Sequence, residues 1–462
     1  MRDPVRLNPI PTLAERARAL FRSEATRGLE ARRDRLLKLK AVLEANEEKA
    51  FQALKADLGK PIAEAYMAEV GLVYQEINHA LKHLGSWMKP ERQGTPLALW
   101  PSSGARYPEP LGTVLIIAPW NYPLQLAISP LVGAIAAGCT VVLKPSEVST
   151  ATAALLEDLC RQAFGDDGFV TVVQGGPEVS QQLLAEKWDL VFFTGSTHVG
   201  QLVMEAAAKH LTPVVLELGG KSPCIVDEDT DLAVTARRVA WGKAYNAGQT
   251  CVAPDYVLVH RAVKQPFIDA LGTALRDFFG ADPSTSPDYG RIINARHFAR
   301  LVGLLRGGRV VLGGQTNEAT RFIAPTVLTD VDLGHPLMQE EIFGPLLPVI
   351  EVPDLETAIR FVNARPKPLA LYAFSRNSAK TEEVLRRVSA GGAVVNDCIV
   401  HFATNMPFGG VGPSGTGAYH GKASFDTFTH YKSVLKKPFL MDLKVRYPPY
   451  KLSLAMMKRL IG

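Results

Sequence analysis

A chain of 462 residues, 47% hydrophobic and 21% charged, is too long for one ordinary core and has the composition of a soluble globular protein of several domains, which excludes disordered and collagen-like classes. Five cysteines without a CxxC or a paired His/Cys spacing argue against a disulfide framework and against a metal site. The net charge of +5 is concentrated at one end: residues 433–462 carry +6, leaving −1 for all the rest, and no nucleic-acid partner is expected.

The amino terminus, MRDPVRLNPIPTLAERARALF, lacks the continuous apolar segment of a secretory signal and has acidic residues early, so a cytoplasmic protein is expected. From Thr12 to about Lys60, Leu36, Leu39, Leu43 and Ala50 recur near the helical period among Arg, Lys and Glu, which predicts one or two amphipathic helices. A second helical stretch runs from Ala63 to Trp87. Pro90 to Pro110 reads as extended chain that leaves one domain and returns. Leu111 to Leu143 contains no Asp, Glu, Lys or Arg and exceeds the ~20 residues a bilayer requires. Pro119, Asn121, Pro123, Gln125 and Pro130 interrupt it, however, and residues 112–118 and 140–144 read instead as buried parallel strands around a helix of small residues. Further strands at 169–173, 189–194 and 213–218 complete a regular series that implies a parallel, doubly wound α/β sheet. A second alternating region, from Cys224 to about Val400, has VLVH, VVLGG, LLPVI and AVVN as strands, and SFDTFTHYKSVL (424–435) is strand-like. The tail ends in KLSLAMMKRLIG, whose apolar residues alternate with cations. It suits either a weak peripheral contact with an anionic membrane or packing on protein with its lysines in water.

Four cysteines, Cys139, Cys160, Cys224 and Cys398, have neighbours that suit core positions. Cys251, in AYNAGQTCVAPD (244–255), lies among Asn246, Gly248, Gln249 and Thr250, between a helical run and a strand beginning at Tyr256, and is expected in an exposed connection. An accessible thiol with a second ionisable group at hand is a candidate nucleophile, whereas a lone cysteine is ordinarily structural. In VVLELGGKSP (214–223), Glu217 sits between apolar residues ahead of a Gly-Gly turn; it is either a general base tuned by desolvation or an ion-paired structural glutamate. FTGSTHVG (193–200) joins a strand to a helix, and its glycines either admit phosphates at the helix amino terminus or serve packing. In VVLKPSEVS (141–149), Lys144 and Glu147 suit a nucleotide, or else form a surface ion pair and a helix cap. Both turns fall at strand carboxyl ends, where open α/β sheets bind ligands.

With these residues in view, the chain resembles the aldehyde dehydrogenase superfamily. APWNYP, LKPSE, FTGS, LELGGKSP, AYNAGQTCV, EEIFGP and PFGGVGPSG match its motifs in order over nearly the whole chain. QGGPEVSQQLL, GAYHGKASFDTFTHYKS and the RYPPY tail resemble the class 3 branch, which includes fatty- and aromatic-aldehyde enzymes. The resemblance implies a Rossmann-type parallel-sheet NAD(P)-binding domain (1–90 and 110–216), an α/β catalytic domain (217–400) and a small β oligomerisation element with the basic tail (91–109 and 401–462), assembled as a homodimer. It implies Cys251 as the nucleophile, Asn121 with the backbone N–H of Cys251 as oxyanion donors, and Glu217 as the base. Lys144 and Glu147 would contact the adenosine ribose. Ser196 and its turn would meet the pyrophosphate, Glu341 and Phe343 the nicotinamide side, and Trp120, Gly195, Gly200 and Leu218 would complete the cofactor site.

Two departures bear on substrate preference: Pro413 where an Asn is common, and HFATNM near the substrate entrance. No transmembrane helix of the kind some fatty-aldehyde relatives carry is read before Gly462. The expected reaction is NAD(P)-dependent oxidation of medium- or long-chain aliphatic or aromatic aldehydes to acids, with NAD favoured because the Glu147 carboxylate would repel a 2′-phosphate. The rival readings are a coenzyme A-acylating relative, which would depend less on a base such as Glu217, and a silent binding protein that kept the fold.

Overall fold

The structure is a computed structural model that describes residues 9–96, 99–401, 406–442 and 446–461. Phe402–Asn405, the centre of HFATNM, and Lys444 of the basic tail therefore lie outside the described residues. The uncharged stretch forms the middle of a six-stranded sheet ordered Gly415–Thr416, Val214–Glu217, Leu190–Thr194, Thr113–Ile117, Thr140–Lys144, Val170–Val172. All neighbours are parallel except Gly415–Thr416, which runs antiparallel to Leu216 and Glu217. Thr113–Ile117, Thr140–Lys144 and the intervening helix Gln125–Ala137 are buried throughout, which accounts for the absence of charge as far as Leu143; Lys144 comes only at the strand's end. Among the described residues no helix is long and apolar enough to cross a membrane.

Amphipathic helices cover this sheet. Ile10–Arg22, Leu29–Ala45 and Glu47–Leu58 occupy the first predicted helical region, and Leu36, Leu39 and Leu43 bury their stripe as the period requires. The second region holds Ile62–Ala65, a π-helical turn Tyr66–Val70 and Gly71–Trp87.

The second sheet has seven strands ordered Arg309–Leu312, Thr326–Thr329, Leu346–Val352, Tyr256–His260, Pro223–Val226, Ala370–Phe374, Gly392–Val395. Only the first pair is antiparallel. Pro223–Val226, Thr326–Thr329 and Ala370–Phe374 add to the four strands expected there. A third sheet joins Glu91–Gln93, Ser103–Pro110 and Thr429–Lys436, all antiparallel, with Thr429 opposite Pro110 and Lys436 opposite Ser103.

Two expectations need correction. SFDTFTHYKSVL is not one strand: Lys422–Thr427 is a helix whose Ser424 and Phe425 face the core, and the strand starts at Thr429. The region after residue 400 does not all belong to the small element either, because Gly415–Thr416 closes the edge of the first sheet. Gly415 is forced there by its φ of 146° and by Leu216 O, which a Cβ would approach to 2.2 Å.

Candidate active site

After helix Leu232–Ala244 the chain turns through Tyr245–Gly248, where Asn246, Ala247 and Gly248 have φ of 53°, 50° and 74°. Two successive non-glycine residues in the left-handed region cost of order 1–2 kcal/mol each, so neighbouring groups must hold them. Glu64 accepts from Asn246 N at 3.0 Å. Asn246 Nδ2 donates to Asn121 O (2.9 Å) and Gln249 O (3.1 Å). Gln249 Nε2 donates to Asn246 O and Arg291 O, each at 3.0 Å, while Gln249 Oε1 accepts from Ile293 N at 3.0 Å. At Gly248 a Cβ would lie 2.2 Å from Gly344 O.

The expected exposed connection is thus a buried one. Asn246 to Thr250 are all buried, and Cys251 is half-buried with its sulfur packed against the main core. Polar composition suggested exposure, but here the polar side chains satisfy the loop's own backbone and so allow its burial.

Glu217 ends the strand Val214–Glu217, 3% exposed, and neither carboxylate oxygen has a hydrogen-bond partner among the described residues. The ion-paired alternative is therefore set aside. Burial pushes its carboxyl well above the usual range. Burial first, then the charges of Glu341 and Glu217, push the Cys251 thiol up to about 12, so it rests protonated.

Asn121 is 3% exposed and follows the strand Thr113–Ile117. Its Nδ2 donates to Gln249 O at 3.1 Å, which leaves a second N–H free. Its own carbonyl is held by Asn246 and, at 3.3 Å, by Lys60 Nζ. Lys60 also pairs with Glu69, both side chains being fully buried, and its ammonium lies 4.2 Å from the Tyr122 ring centroid. Glu69 Oε2 accepts from Leu124 N (2.9 Å) and Gln125 N (3.2 Å), and Tyr122 Oη is 2.6 Å from Thr250 Oγ1.

An ion pair thus clamps the segment 121–125 beside the cysteine loop, and sequence reasoning did not find it. The available signal was Glu69 recurring with Val73, Glu76 and Ala80 on one helix face, carboxylates in an otherwise apolar stripe. Cys251 opens into a pocket lined by Leu72, Tyr122, Leu126, Tyr245, Val252, Ile399, Phe408 and Tyr419, with Gln125 and His420 the most polar of the side chains around it.

Other residues suit a nucleotide. Lys144 ends its strand only 2% exposed, contrary to the surface-pair alternative, with Nζ 3.1 Å from Glu147 Oε2; Glu147 itself is exposed. Ser196 caps the helix Thr197–Ala208 by accepting from Val199 N, and Gly195 N donates to Glu217 O at 3.0 Å. Trp120 meets Phe343 edge-on at 5.2 Å.

Gly200 packs its helix against the neighbouring strand end. It is buried, and a Cβ would meet Leu218 Cδ2 at 2.7 Å, so its bareness and Leu218 serve helix-to-strand packing. Glu341 reaches the Gly219–Gly220 turn, where a Cβ on Gly219 would lie 2.0 Å from its carboxylate. Its Oε1 is covered and without a hydrogen-bond partner among the described residues, and burial with the neighbouring Asp255 charge raises the Glu341 carboxyl to about 8. An orphaned buried acceptor on one side and an ammonium at a strand end on the other fit a dinucleotide, whose ribose hydroxyls donate and whose phosphates are anionic.

Comparison with known proteins agrees with this geometry. The sequence model of the Aldehyde dehydrogenase family matches residues 9–434. Aldehyde dehydrogenase family 3 member B1 of Rattus norvegicus is 50% identical over 439 residues, 94% of this chain and 94% of its own length. The "Aldehyde dehydrogenase, dimeric NADP-preferring" of Canis lupus familiaris is 48% identical over 460 residues, 98% of this chain and all of that one, covered to 100%. A solved structure, the substrate-bound state of Staphylococcus aureus AldH, superimposes with a TM-score of 0.96 at 45% identity, covering 99% of this chain and 100% of that one. With the motifs, the two parallel sheets and the cysteine site all in agreement, the chain belongs to the aldehyde dehydrogenase family.

Proposed function

We propose that the chain oxidises apolar aldehydes, medium- or long-chain aliphatic or aromatic, to carboxylic acids with NAD or NADP. The observation that carries this reading is Glu217, a buried carboxyl without partners among the described residues, near enough that its ionised form raises the Cys251 thiol. The Cys251 thiol adds to the aldehyde carbonyl while its proton passes to a base, and the carbonyl oxygen becomes an oxyanion between the free N–H of Asn121 Nδ2 and the backbone N–H of Cys251. A bound nicotinamide supplies the two-electron acceptor, and Lys144, Glu147, Ser196, Glu341 and Phe343 are the residues that would hold the dinucleotide. Oxidation leaves a thioester on Cys251. Glu217 then takes a proton from water as it attacks that thioester, and the acid leaves as the thiolate is reprotonated. A base placed for water disfavours the coenzyme A-acylating alternative.

The apolar pocket supports the substrate class. Glu147 supports a preference for NAD with some use of NADP, because an exposed carboxylate accepts from a 2′-hydroxyl and repels a 2′-phosphate. A homodimer assembled through the small sheet is supported by strand Thr429–Lys436, which among the described residues pairs on one side only and so leaves an edge for a second copy. The helix Leu454–Ile461, with Leu454 and Met456 exposed beside Lys458 and Arg459, supports weak binding to anionic membranes. The reading is tested by absorbance of the reduced nicotinamide with a panel of aldehydes. Absence of signal with either cofactor, together with an unreactive Cys251, would overturn it.

A further inference from the structure

One side of the substrate pocket breaks its apolar character. His420 lines the pocket yet is only 4% exposed, and Glu76 behind it is 2% exposed. Glu76 Oε1 is occupied, accepting from Gly421 N at 2.8 Å and from Ser424 Oγ at 3.2 Å. Glu76 Oε2 and His420 Nδ1 face each other at 3.7 Å, within ion-pair range but beyond a hydrogen bond, and both are covered and without partners among the described residues. The imidazole stacks on Tyr419 at 4.1 Å and 25° and meets Phe408 edge-on at 5.7 Å, while the backbone N–H of His420 donates to Ser424 Oγ at 2.8 Å.

The two enclosed atoms face each other, and the other ring nitrogen, Nε2, is neither enclosed nor hydrogen-bonded among the described residues, so the wall of an otherwise apolar pocket keeps one polar atom for a ligand. Nδ1 is turned to the Glu76 carboxylate, which leaves Nε2 as the ring nitrogen toward the pocket; in the neutral tautomer that carries its proton on Nδ1, Nε2 is an acceptor. Nothing in the oxidation derived above uses this pair: Cys251, Asn121 and Glu217 complete it without help.

We propose that His420, oriented by Glu76, is a specificity-determining residue that accepts a hydrogen bond from a hydroxyl carried by the aldehyde substrate at a distance from its carbonyl. The inference rests on the aldehyde-oxidising reading and sharpens its substrate class, from apolar aldehydes in general to apolar aldehydes bearing one distal hydroxyl. The apolar walls bind the chain between the two ends. Without such a hydroxyl, the space before Nε2 is filled by water or by unmatched carbon, and an acceptor that the bound chain covers without matching discriminates against the plain chain.

The test compares kcat/KM for straight-chain aldehydes from hexanal to dodecanal with the matching ω-hydroxyaldehydes, using the full chain and NAD. The expected result is a preference for the hydroxylated member that peaks at one chain length, roughly tenfold at the peak. In His420→Phe, which keeps an aromatic ring for the stack, and in Glu76→Gln, which removes the orienting charge, the ratio at that length should fall toward one whatever the absolute rates. A wild-type ratio near one at every length overturns the inference while leaving aldehyde oxidation intact. A ratio that persists in both variants overturns it as well, since another group must then read the hydroxyl. Failure to oxidise any aldehyde overturns the underlying reading and the inference with it.

Discussion

Replacing Glu217 with Gln changes one atom in a fully enclosed side chain and separates its chemical role from its structural one. Both carboxylate oxygens are covered and without partners among the described residues, so the amide occupies the same space and breaks no hydrogen bond seen there. Loss of a positioned general base slows the step it serves by about 10²–10⁴-fold. Because that step is the hydrolysis of the thioester, the first turnover should survive. Mixing the variant with aldehyde and NAD should give a burst of reduced nicotinamide near one equivalent of enzyme, then a stalled steady state, with mass spectrometry showing the acyl adduct on Cys251.

Stability should move the other way. The native carboxyl is held well above its ordinary value of 4.5, so between that value and the raised one the unfolded chain has lost a proton that the native chain retains. Wild-type stability contributed by this group is full below the ordinary value and falls as pH rises toward the raised one. The amide has no such dependence, and the variant should melt higher than wild type by a margin that grows from acid toward alkaline pH, of order 1–3 kcal/mol for a buried unsatisfied group. Steady-state rates within a factor of two of wild type, or a variant that melts lower at neutral pH, would refute the assignment of Glu217 as an unpaired buried base.

Lys60→Met should cost about 3–5 kcal/mol by leaving the Glu69 carboxylate buried and unpaired; thermal denaturation reads this, and Lys60→Met with Glu69→Leu should recover part of it. Alkylation of Cys251 by iodoacetamide in the cofactor-free chain should keep accelerating with pH through the range where an ordinary thiol levels off, since burial and two carboxylates hold its pKa near 12; a plateau near the usual 9.0 would contradict that electrostatic picture. Glu147→Ala should raise the ratio of NADP to NAD kcat/KM several-fold by removing the carboxylate that faces a 2′-phosphate, and an unchanged ratio would show that other groups set the cofactor choice.

The strands of the first sheet were legible because strands buried on both faces read as continuous apolar runs, and TVLII and TVVLK are unmistakable in a charged chain. In the second sheet PCIV, TVLT and ALYAF escaped notice: they are only four or five residues long, and a run that short carries no period of its own. Cys251 and Glu217 announced themselves as residue types out of keeping with their neighbours. The burial of the cysteine loop did not, because Asn246 and Gln249 look solvated until their partners, Asn121, Arg291 and Ile293, are brought in from distant segments. The Lys60–Glu69 clamp was hidden for the same reason: it acts on Asn121, and only folding puts the three together. The glycines of FTGSTHVG show the converse limit, for spacing alone did not separate one that packs a helix from one that admits a ligand.

The two-residue strand Gly415–Thr416 has a consequence for how the molecule comes into being. It lies against Leu216 and Glu217, so the segment carrying the base waits for a partner encoded almost two hundred positions later. While the chain leaves the ribosome, the first sheet can assemble early, but its outer edge stays open until residue 416 has emerged. Catalytic competence is therefore a late event in synthesis. A chain interrupted before that point would leave the strand that carries Glu217 without its outer neighbour, whereas one cut beyond Lys436 would retain every strand described here.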